Sequence, residues 1–443
     1  MFQSVISLIP MFFRIAIPIL VVLIFDFYAF QAIRTLTADM ATTTRRLIRI
    51  SYWLLNISFY VIGLLGMAGY LNHIDRGIRT VFTGMFFGLF LAKMLMMLPM
   101  LMEDIYRIFN GIISWISNKK DNVVDESKGD FLVGRKKFIS QISIGLGGLS
   151  FAGLTYGIVK GAHDYKVHRV DVPLSQLPPA FKGLKIGHLS DIHSGSFWDR
   201  RAIDKGIDKL IKEKPDVIFF TGDLVNSLAE EMDDELIEKF GRLKAPLGIY
   251  SILGNHDYGD YHNWPDKDML QMGNRAQADK SHMTPMQLEN LQVLINKHKR
   301  MGWDLLMNEN RVIEKDGHKL HIIGVENYGA RGNFARYGRL NEALEGVEEQ
   351  AFKILLSHDP SHWDAQVKGK QNIALTLSGH THGAQFGLET GGFRWSPIKY
   401  MYKQWAGLYT HGEQHIYVNR GFGYLGYPGR LGIRPEIGIL TLV

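Results

Sequence analysis

Two stretches of this chain carry no charged residue and are long enough to cross a bilayer: Tyr52–Leu71 (YWLLNISFYVIGLLGMAGYL) and Phe138–Val159 (FISQISIGLGGLSFAGLTYGIV). Spanning the hydrocarbon core takes roughly 20 apolar residues. Lipid offers the backbone no hydrogen-bond partner, so such a segment must satisfy itself as a helix. Thr80–Met102 is a third stretch, interrupted only by Lys93, and Ile9–Ile33 is a weaker fourth that carries Arg14 and Asp26. A first span of that length without a basic start does not read as a cleaved signal peptide. The chain therefore divides into a transmembrane helical region of about four spans (residues 1–160), a linker with Pro173, Pro178 and Pro179 (161–183), and a large domain (184–443).

Basic residues in the loops set the orientation. The first connection holds Arg34, Arg45, Arg46 and Arg49, and the third holds Lys119, Lys120, Lys128, Arg135, Lys136 and Lys137; the second has only Arg76 and Arg79. Lys and Arg accumulate on the cytoplasmic side, which puts the first and third connections inside the cell. The reading is a multi-pass cell-membrane protein whose large domain is extracytoplasmic. Asp26 within a span is a functional candidate because of its cost there; pairing with Lys93 is the alternative. Much of the net charge of +6 sits beside the apolar spans, so nucleic acid is not an expected partner.

After the linker the pattern changes. Short apolar runs (Leu184–Leu189, Val217–Thr221, Leu247–Leu253) alternate with helix-like stretches (Asp199–Lys214, Glu230–Leu243, Pro285–Lys299). That alternation predicts an α/β domain. Later runs at His415–Asn419 and Ile437–Val443 have no helix between them, so a mixed sheet is expected.

The apolar runs end in polar residues of one kind. Leu184–Leu189 leads into Asp191 and His193, Val217–Thr221 into Gly222 and Asp223, and Leu247–Leu253 into Gly254-Asn255-His256-Asp257. Lys353–Leu356 leads into His358 and Asp359, and Ile373–Leu377 into Gly379-His380-Thr381-His382. Ligands of open α/β sheets bind outside the carboxyl ends of the strands, so five strands deliver metal-capable side chains to one edge. The chain has no cysteine, which excludes thiolate ligands and leaves His, Asp, Glu and Asn for cations such as Mn, Fe or Zn.

This ordered set, Asp-x-His, Gly-Asp, Gly-Asn-His-Asp, His, Gly-His-x-His, resembles the calcineurin-like metallophosphoesterases over roughly Leu184 to Val443. The closing stretch YVNRGFGYLGYPGRLGIRPEIGILTL resembles their membrane-attached bacterial branch. The resemblance implies an α/β two-sheet sandwich flanked by helices, four layers αββα, with two divalent transition-metal ions at its edge. It implies that Asp191, His193 and His382 hold one metal, that Asn255, His358 and His380 hold the other, and that Asp223 bridges them. Two cations so placed clamp the oxygens of a phosphoryl displacement and ionise the attacking water. His256 would protonate the leaving oxygen as general acid. Where many relatives have an acid to orient that histidine, this chain has Asn226.

The substrate is less constrained, because a fold does not choose it. Aromatic residues after Asp257 (Tyr258, Tyr261, Trp264) and after the His pair (Phe393, Trp395, Tyr400, Tyr402, Trp405, Tyr409, with Met401) read either as core packing or as an apolar rim for a lipid-linked phosphate. Arg420, Arg430 and Arg434 read either as phosphate contacts or as structural pairs. The leading expectation is a membrane-anchored di-metal phosphoesterase acting on a lipid-linked or cell-envelope phosphoester or pyrophosphate. A broad phosphodiesterase or phosphatase for soluble esters, and a non-catalytic membrane sensor or scaffold, are the alternatives.

Overall fold

The computed structural model describes residues 2–67, 69–71, 73–74, 76–116, 126–266 and 279–443. They form two compact units, Met1–Tyr156 and Gly157–Val443. Lys119, Lys120 and the side chains of Arg14, Arg76 and Lys128 lie outside the described residues.

The first unit is helical: α1 Phe2–Leu36, α2 Thr42–Met67, α3 Arg76–Ile116 and α4 Glu126–Val159. Among the described residues, Thr42–Gly66, Gly77–Ile116 and Gly134–His163 are long and apolar enough to cross a membrane. The expected span Ile9–Ile33 falls within α1. Large apolar side chains such as Leu54, Ile57, Trp115 and Leu149 face outward, which suits lipid rather than water. Asp26 is buried and ion-paired to Lys93. Lys93 also donates to Asn56 Oδ1, Tyr60 Oη donates to Asp26, and Tyr52 Oη donates to the Asp26 carbonyl at 2.8 Å. Of the two readings of Asp26, pairing is what the fold provides: opposite charges on α1 and α3 neutralise each other where either alone would cost about 2.5–3.5 kcal/mol in a bilayer centre.

Among the described residues the second unit contains fourteen strands: β1 Lys166–Val172, β2 Lys185–Leu189, β3 Val217–Thr221, β4 Ile249–Ile252, β5 Asp304–Leu305, β6 Glu309–Lys315, β7 His318–Gly324, β8 Lys353–Leu356, β9 Leu375–Ser378, β10 Leu388–Thr390, β11 Phe393–Trp395, β12 Gly407–His411, β13 Gln414–Val418 and β14 Glu436–Leu442. One six-stranded sheet has the order β1-β14-β2-β3-β4-β5, a second has β12-β13-β9-β8-β7-β6, and β10–β11 is a separate hairpin. Both sheets are mixed: β2, β3, β4 and β5 run parallel while β14 runs antiparallel to β2.

Side-chain alternation along the strands builds the layers. On β3, Val217 and Phe219 face the second sheet while Ile218 and Phe220 face helices α5 (Arg200–Glu213), α6 (Asp234–Gly241) and α7 (Pro285–Met301). On β8, Ile354 and Leu356 face inward while Leu355 packs outward with Trp363, Val367 and helix α8 (Leu340–Ala343). Successive strand residues point to opposite faces, so runs that are apolar at every position fit strands covered on both sides. The result is the four-layer αββα sandwich. Residues 161–183, expected as a linker, instead supply β1, paired in parallel with β14. Its sequence KVHRVDV carries Lys166, His168, Arg169 and Asp171 among three valines, and such charges suit an edge strand.

Glu436 at the start of β14 is fully buried and accepts from Tyr417 Oη at 2.5 Å, Arg420 N at 3.1 Å and Arg420 Nη1 at 2.5 Å. Arg420 also pairs with Glu389. Burial alone would raise the Glu436 carboxyl, but the Arg420 guanidinium overrides it and holds the group down to about 2. A carboxyl whose folded pKa lies below its unfolded value of 4.5 gives stability that is complete above that pH and lost as pH falls toward about 2. Glu436→Gln should therefore lower the thermal midpoint at neutral pH and flatten the acid side of the stability profile, measured by melting the full-length protein in detergent across pH.

Candidate metal centre

The loops that follow β2, β3, β4, β8 and β9 converge, and their backbones interlock. Asp191 N donates to Gly222 O at 2.9 Å, His193 N to Asp223 O at 3.1 Å, and Gly379 N to His358 O at 3.0 Å. Glycine is required where these loops touch. A Cβ on Gly379 would lie 1.9 Å from Ser190 Oγ and 2.2 Å from Asp191 Oδ2. The turns are tight enough to force left-handed φ on Asp191 (54°), His193 (49°), Asp223 (60°), His380 (70°) and His382 (50°). Each such residue costs of order 1–3 kcal/mol unless the surroundings over-determine it. Here the cross-loop hydrogen bonds do so.

The structure brings all eight sequence-predicted site residues together. Donor atoms of Asp191, His193 and His382 lie within 4.8 Å of one another, as do those of Asp223, His358 and His380. Asn255 Oδ1 is 2.8 Å from His380 Nδ1. Asp223 Oδ2 stands between the two groups, 3.5 Å from His193 Nε2 and 3.1 Å from His358 Nε2.

Hydrogen bonds behind the rings decide which nitrogens face inward. His358 Nδ1 donates to Thr221 O at 2.7 Å, and His193 Nδ1 donates to Asn226 Oδ1 at 3.2 Å. Their Nε2 atoms therefore carry lone pairs when the rings are neutral. His358 Nε2 is buried and faces the Asp223 carboxylate oxygen at 3.1 Å. His193 Nε2 lies 3.0 Å from His382 Nε2, which is 3.2 Å from Asp191 Oδ1. Acceptors this close need positive charge between them, and a set of imidazoles and carboxylates without sulfur suits hard or borderline divalent cations. The donor set fits two of them.

The proton affinities follow the same logic. Burial pushes the His193 and His380 imidazoles down, keeping them neutral and free to ligate. Burial alone would raise Asp191 and Asp223, but His382 beside the first and His358 beside the second hold both carboxyls well below their usual range. His358 goes the other way: burial lowers it, yet the adjoining Asp223 carboxylate outweighs burial and lifts it to about 10. In the metal-free protein a proton thus occupies the gap a cation would fill.

His256 N donates to Asp223 Oδ1 at 2.8 Å. Its Nδ1 donates to the Asn226 backbone carbonyl at 2.7 Å, and its ring stacks on Tyr261 at 4.1 Å. Asn226 does orient this histidine, but through its main chain; its side-chain amide serves His193 instead. Any residue at 226 keeps that carbonyl, which is why the absent acid leaves His256 still held.

Several contributors carried no role in the sequence reading. Asp257, within the Gly-Asn-His-Asp block, accepts four backbone N–H groups, from Asp223, Leu224, Val225 and Gly254, at 2.8–3.2 Å. It ties the β3 loop to the β4 loop, and burial beside Asp223 raises it to about 7. Tyr402 Oη lies 2.9 Å from His380 Nε2 and 3.4 Å from Asp359, fixing the back of that ring. The Phe334 ring meets His380 edge-on at 4.8 Å. Nothing local in the sequence marks Phe334, and nothing there separates Tyr402 from the aromatic residues around it. Arg420 and Arg430 resolve as structural: Arg420 pairs with Glu436 and Glu389, and buried Arg430 donates to the Gly421, Gly423 and His382 carbonyls, while Arg434 makes an exposed pair with Asp164. Trp405 is packed inside with Tyr402, Ala406 and Ile433 rather than lining an exposed rim. Part of the aromatic insertion after Asp257, residues 267–278, lies outside the described residues.

Residues 184–384 match the family described as "Calcineurin-like phosphoesterase". Residues 11–162 match "Probable Calcineurin-like phosphoesterase, transmembrane domain". The chain is 32% identical over 290 residues to "Transmembrane protein with metallophosphoesterase domain" of Bos taurus, covering 65% of this chain and 59% of that protein. It is 31% identical over 291 residues to the protein of the same description from Danio rerio, with the same coverages of 65% and 59%. It is 29% identical over 297 residues to "Uncharacterized metallophosphoesterase YkuE" of Bacillus subtilis (strain 168), covering 66% of this chain and 91% of that one. The fold and the donor set define a metallophosphoesterase architecture on a membrane protein. The chain belongs to the calcineurin-like phosphoesterases, and its match spans about three-fifths of the two vertebrate relatives, 59% in each case.

Because a cation must displace the His358 proton, loading should release protons, and apparent metal affinity should rise with pH up to about 10. Calorimetric titration of metal-free protein with Mn²⁺ in buffers of different ionisation enthalpy counts them. Gly379→Ala should cut metal content sharply while leaving the fold intact by circular dichroism, since its Cβ enters the space of Asp191.

Proposed function

We propose that this protein hydrolyses a phosphoester or pyrophosphate bond of a lipid-linked or cell-envelope substrate, with its catalytic unit on the extracytoplasmic side. One observation carries the hydrolytic reading: Asp223 Oδ2 lies between two groups of buried, inward-facing donors, 3.5 Å from His193 Nε2 and 3.1 Å from His358 Nε2. A single carboxylate there offsets the repulsion of two cations. Asp191, His193 and His382 would hold one, and Asn255, His358 and His380 the other. The two cations, when bound, supply Lewis-acid polarisation of the phosphoryl group and ionise the attacking water.

The chain's own residues do the rest. His256 has its Nδ1–H committed to the Asn226 carbonyl and its ring stacked on Tyr261, so Nε2 hands a proton to the departing oxygen from the doubly protonated ring, a form that burial disfavours and the adjacent Asp223 carboxylate favours. Tyr261 Oη accepts from Asn255 Nδ2 at 2.7 Å, so one side chain aligns both the proton donor and a ligand. Asp257 and Tyr402 keep the loops and the His380 ring from relaxing once loaded. The lipid-linked reading is supported by the membrane-spanning helices on the same chain, which raise the effective concentration of a bilayer substrate. The orientation is supported by the distribution of Lys and Arg between the loops.

Asp223→Asn should abolish hydrolysis of an aryl phosphate ester and lower metal content further than His380→Ala, because both cations share that carboxylate; full activity in Asp223→Asn would remove the mechanism. His256→Gln should keep both metals yet lose about 10²–10⁴-fold in rate, less for leaving groups acidic enough to need no proton. Reporter fusions after Val159 should behave as extracytoplasmic and fusions near Arg46 as cytoplasmic; a cytoplasmic signal after Val159 would reverse the orientation.

A further inference from the structure

The hairpin β10–β11 is built inside out. Its register sets Leu388 opposite Trp395 and Thr390 opposite Phe393, and directly opposed residues share one face. That face points to solvent: Leu388 is 52% exposed and Phe393 57%, and Phe386, two residues earlier on the chain, is 42% exposed. The other face is charged and turned inward. Glu389 pairs with Arg420, and the Arg394 guanidinium lies 5.3 Å from the Trp405 ring and 5.6 Å from that of Tyr409. A sheet with one wet face places its polar residues there; this one does the reverse. The following turn continues the pattern, with Tyr400 at 75% and Met401 at 64% exposure. Lys399 and Lys403, both exposed, flank them.

The patch is also next to the site. Phe386 directly follows the turn that carries His380 and His382, and Met401 directly precedes Tyr402, whose hydroxyl touches His380. Large exposed apolar side chains grouped on one short segment of the fold point to an interaction surface.

We propose that this face is the surface by which the catalytic unit sits in the headgroup region of an anionic bilayer. Three features select lipid as the occupant. The chain carries membrane-spanning helices, so a bilayer is always within tether length. Aromatic side chains are the residues that settle at a membrane–water interface. Exposed lysines on the rim complement anionic headgroups. The docking itself stands on the hairpin geometry; its consequence, delivery of a lipid-linked phosphoester to the metal centre, rests on the function proposed above.

The natural absence of cysteine makes the test clean. Full-length protein carrying a single Phe393→Cys, Leu388→Cys or Tyr400→Cys is nitroxide-labelled and reconstituted into mixed phosphatidylcholine and phosphatidylglycerol vesicles. Val312→Cys, on exposed β6, is the reference. Power saturation should show oxygen collisions exceeding nickel-chelate collisions at 388, 393 and 400, with the reverse at 312, and the contrast should weaken in pure phosphatidylcholine. Nickel access at 393 equal to that at 312 would overturn the proposal. So would low collision with both reagents, which means protein covers the face, or dipolar broadening, which means a second copy does. In a functional arm, Leu388→Ser combined with Phe393→Ser should retain metal content and aryl-ester hydrolysis, shift the label at 400 toward water, and lose several-fold more activity on vesicle-borne phospholipid phosphates than on the aryl ester. Equal activity on both substrates would overturn delivery of the lipid. Absence of aryl-ester hydrolysis in the unsubstituted protein would instead remove the phosphoesterase reading and leave the label result standing.

Discussion

Backbone pressed against backbone at the ends of five strands is the constraint from which the catalytic unit is organised. Where the β2, β3, β4 and β9 loops meet, there is no room for a Cβ at Gly379, whose nearest neighbour would be 1.9 Å away, or at Gly254, where Asp223 Oδ1 would be 2.2 Å away. Such closeness is possible only because each loop donates its N–H groups to another loop's carbonyl or carboxylate. The left-handed φ of Asp191, His193, Asp223, His380 and His382 follows: the chain must reverse within one or two residues to keep its side chain in the centre and its amide on a neighbour. Asp257 is the clearest instance, a side chain pointed away from the centre that stitches two loops with four N–H bonds.

Crowding lone pairs in this way is unfavourable by itself. Asp223 Oδ2 faces His358 Nε2 at 3.1 Å, and burial strips both of water. Without a cation, a proton must do the work, and the lifted affinity of His358 expresses that. The ring-back partners, Thr221 O for His358, Asn226 Oδ1 for His193 and Tyr402 Oη for His380, prevent the imidazoles from turning away to relieve the repulsion. Such partners orient ligating histidines. The sandwich beneath supplies the rigidity, since each strand end is clamped by two apolar layers.

Apolar surface is arranged on two scales. In the first unit it covers the outward side chains of the apolar helix segments described, with Asp26 and Lys93 neutralised inside. In the second it includes one face of a hairpin and the turn after it, while comparable aromatic residues a few positions on, Tyr402 and Trp405, are packed inside. Core packing and an exposed rim are therefore both realised within Phe393–Tyr409, sorted residue by residue.

What the sequence alone determined is whatever depends on local order. Apolar length marked the spans, because lipid forbids an unsatisfied backbone. Short apolar runs ended by Asp, His, Gly and Asn marked the strands and the eight residues beyond them, because ligands of open α/β sheets collect outside the strands' carboxyl ends. Tertiary structure decided what depends on contacts between distant segments. β1 pairs with β14, so a stretch that looked like a linker became sheet. Tyr402 reaches His380 across 22 residues, and Asn226 holds His256 by a carbonyl that every residue type possesses. The arginines near the C-terminus met carboxylates and carbonyls before they could meet a phosphate. A partner chosen by spatial approach leaves no mark at its own position in the chain, so these assignments required the fold.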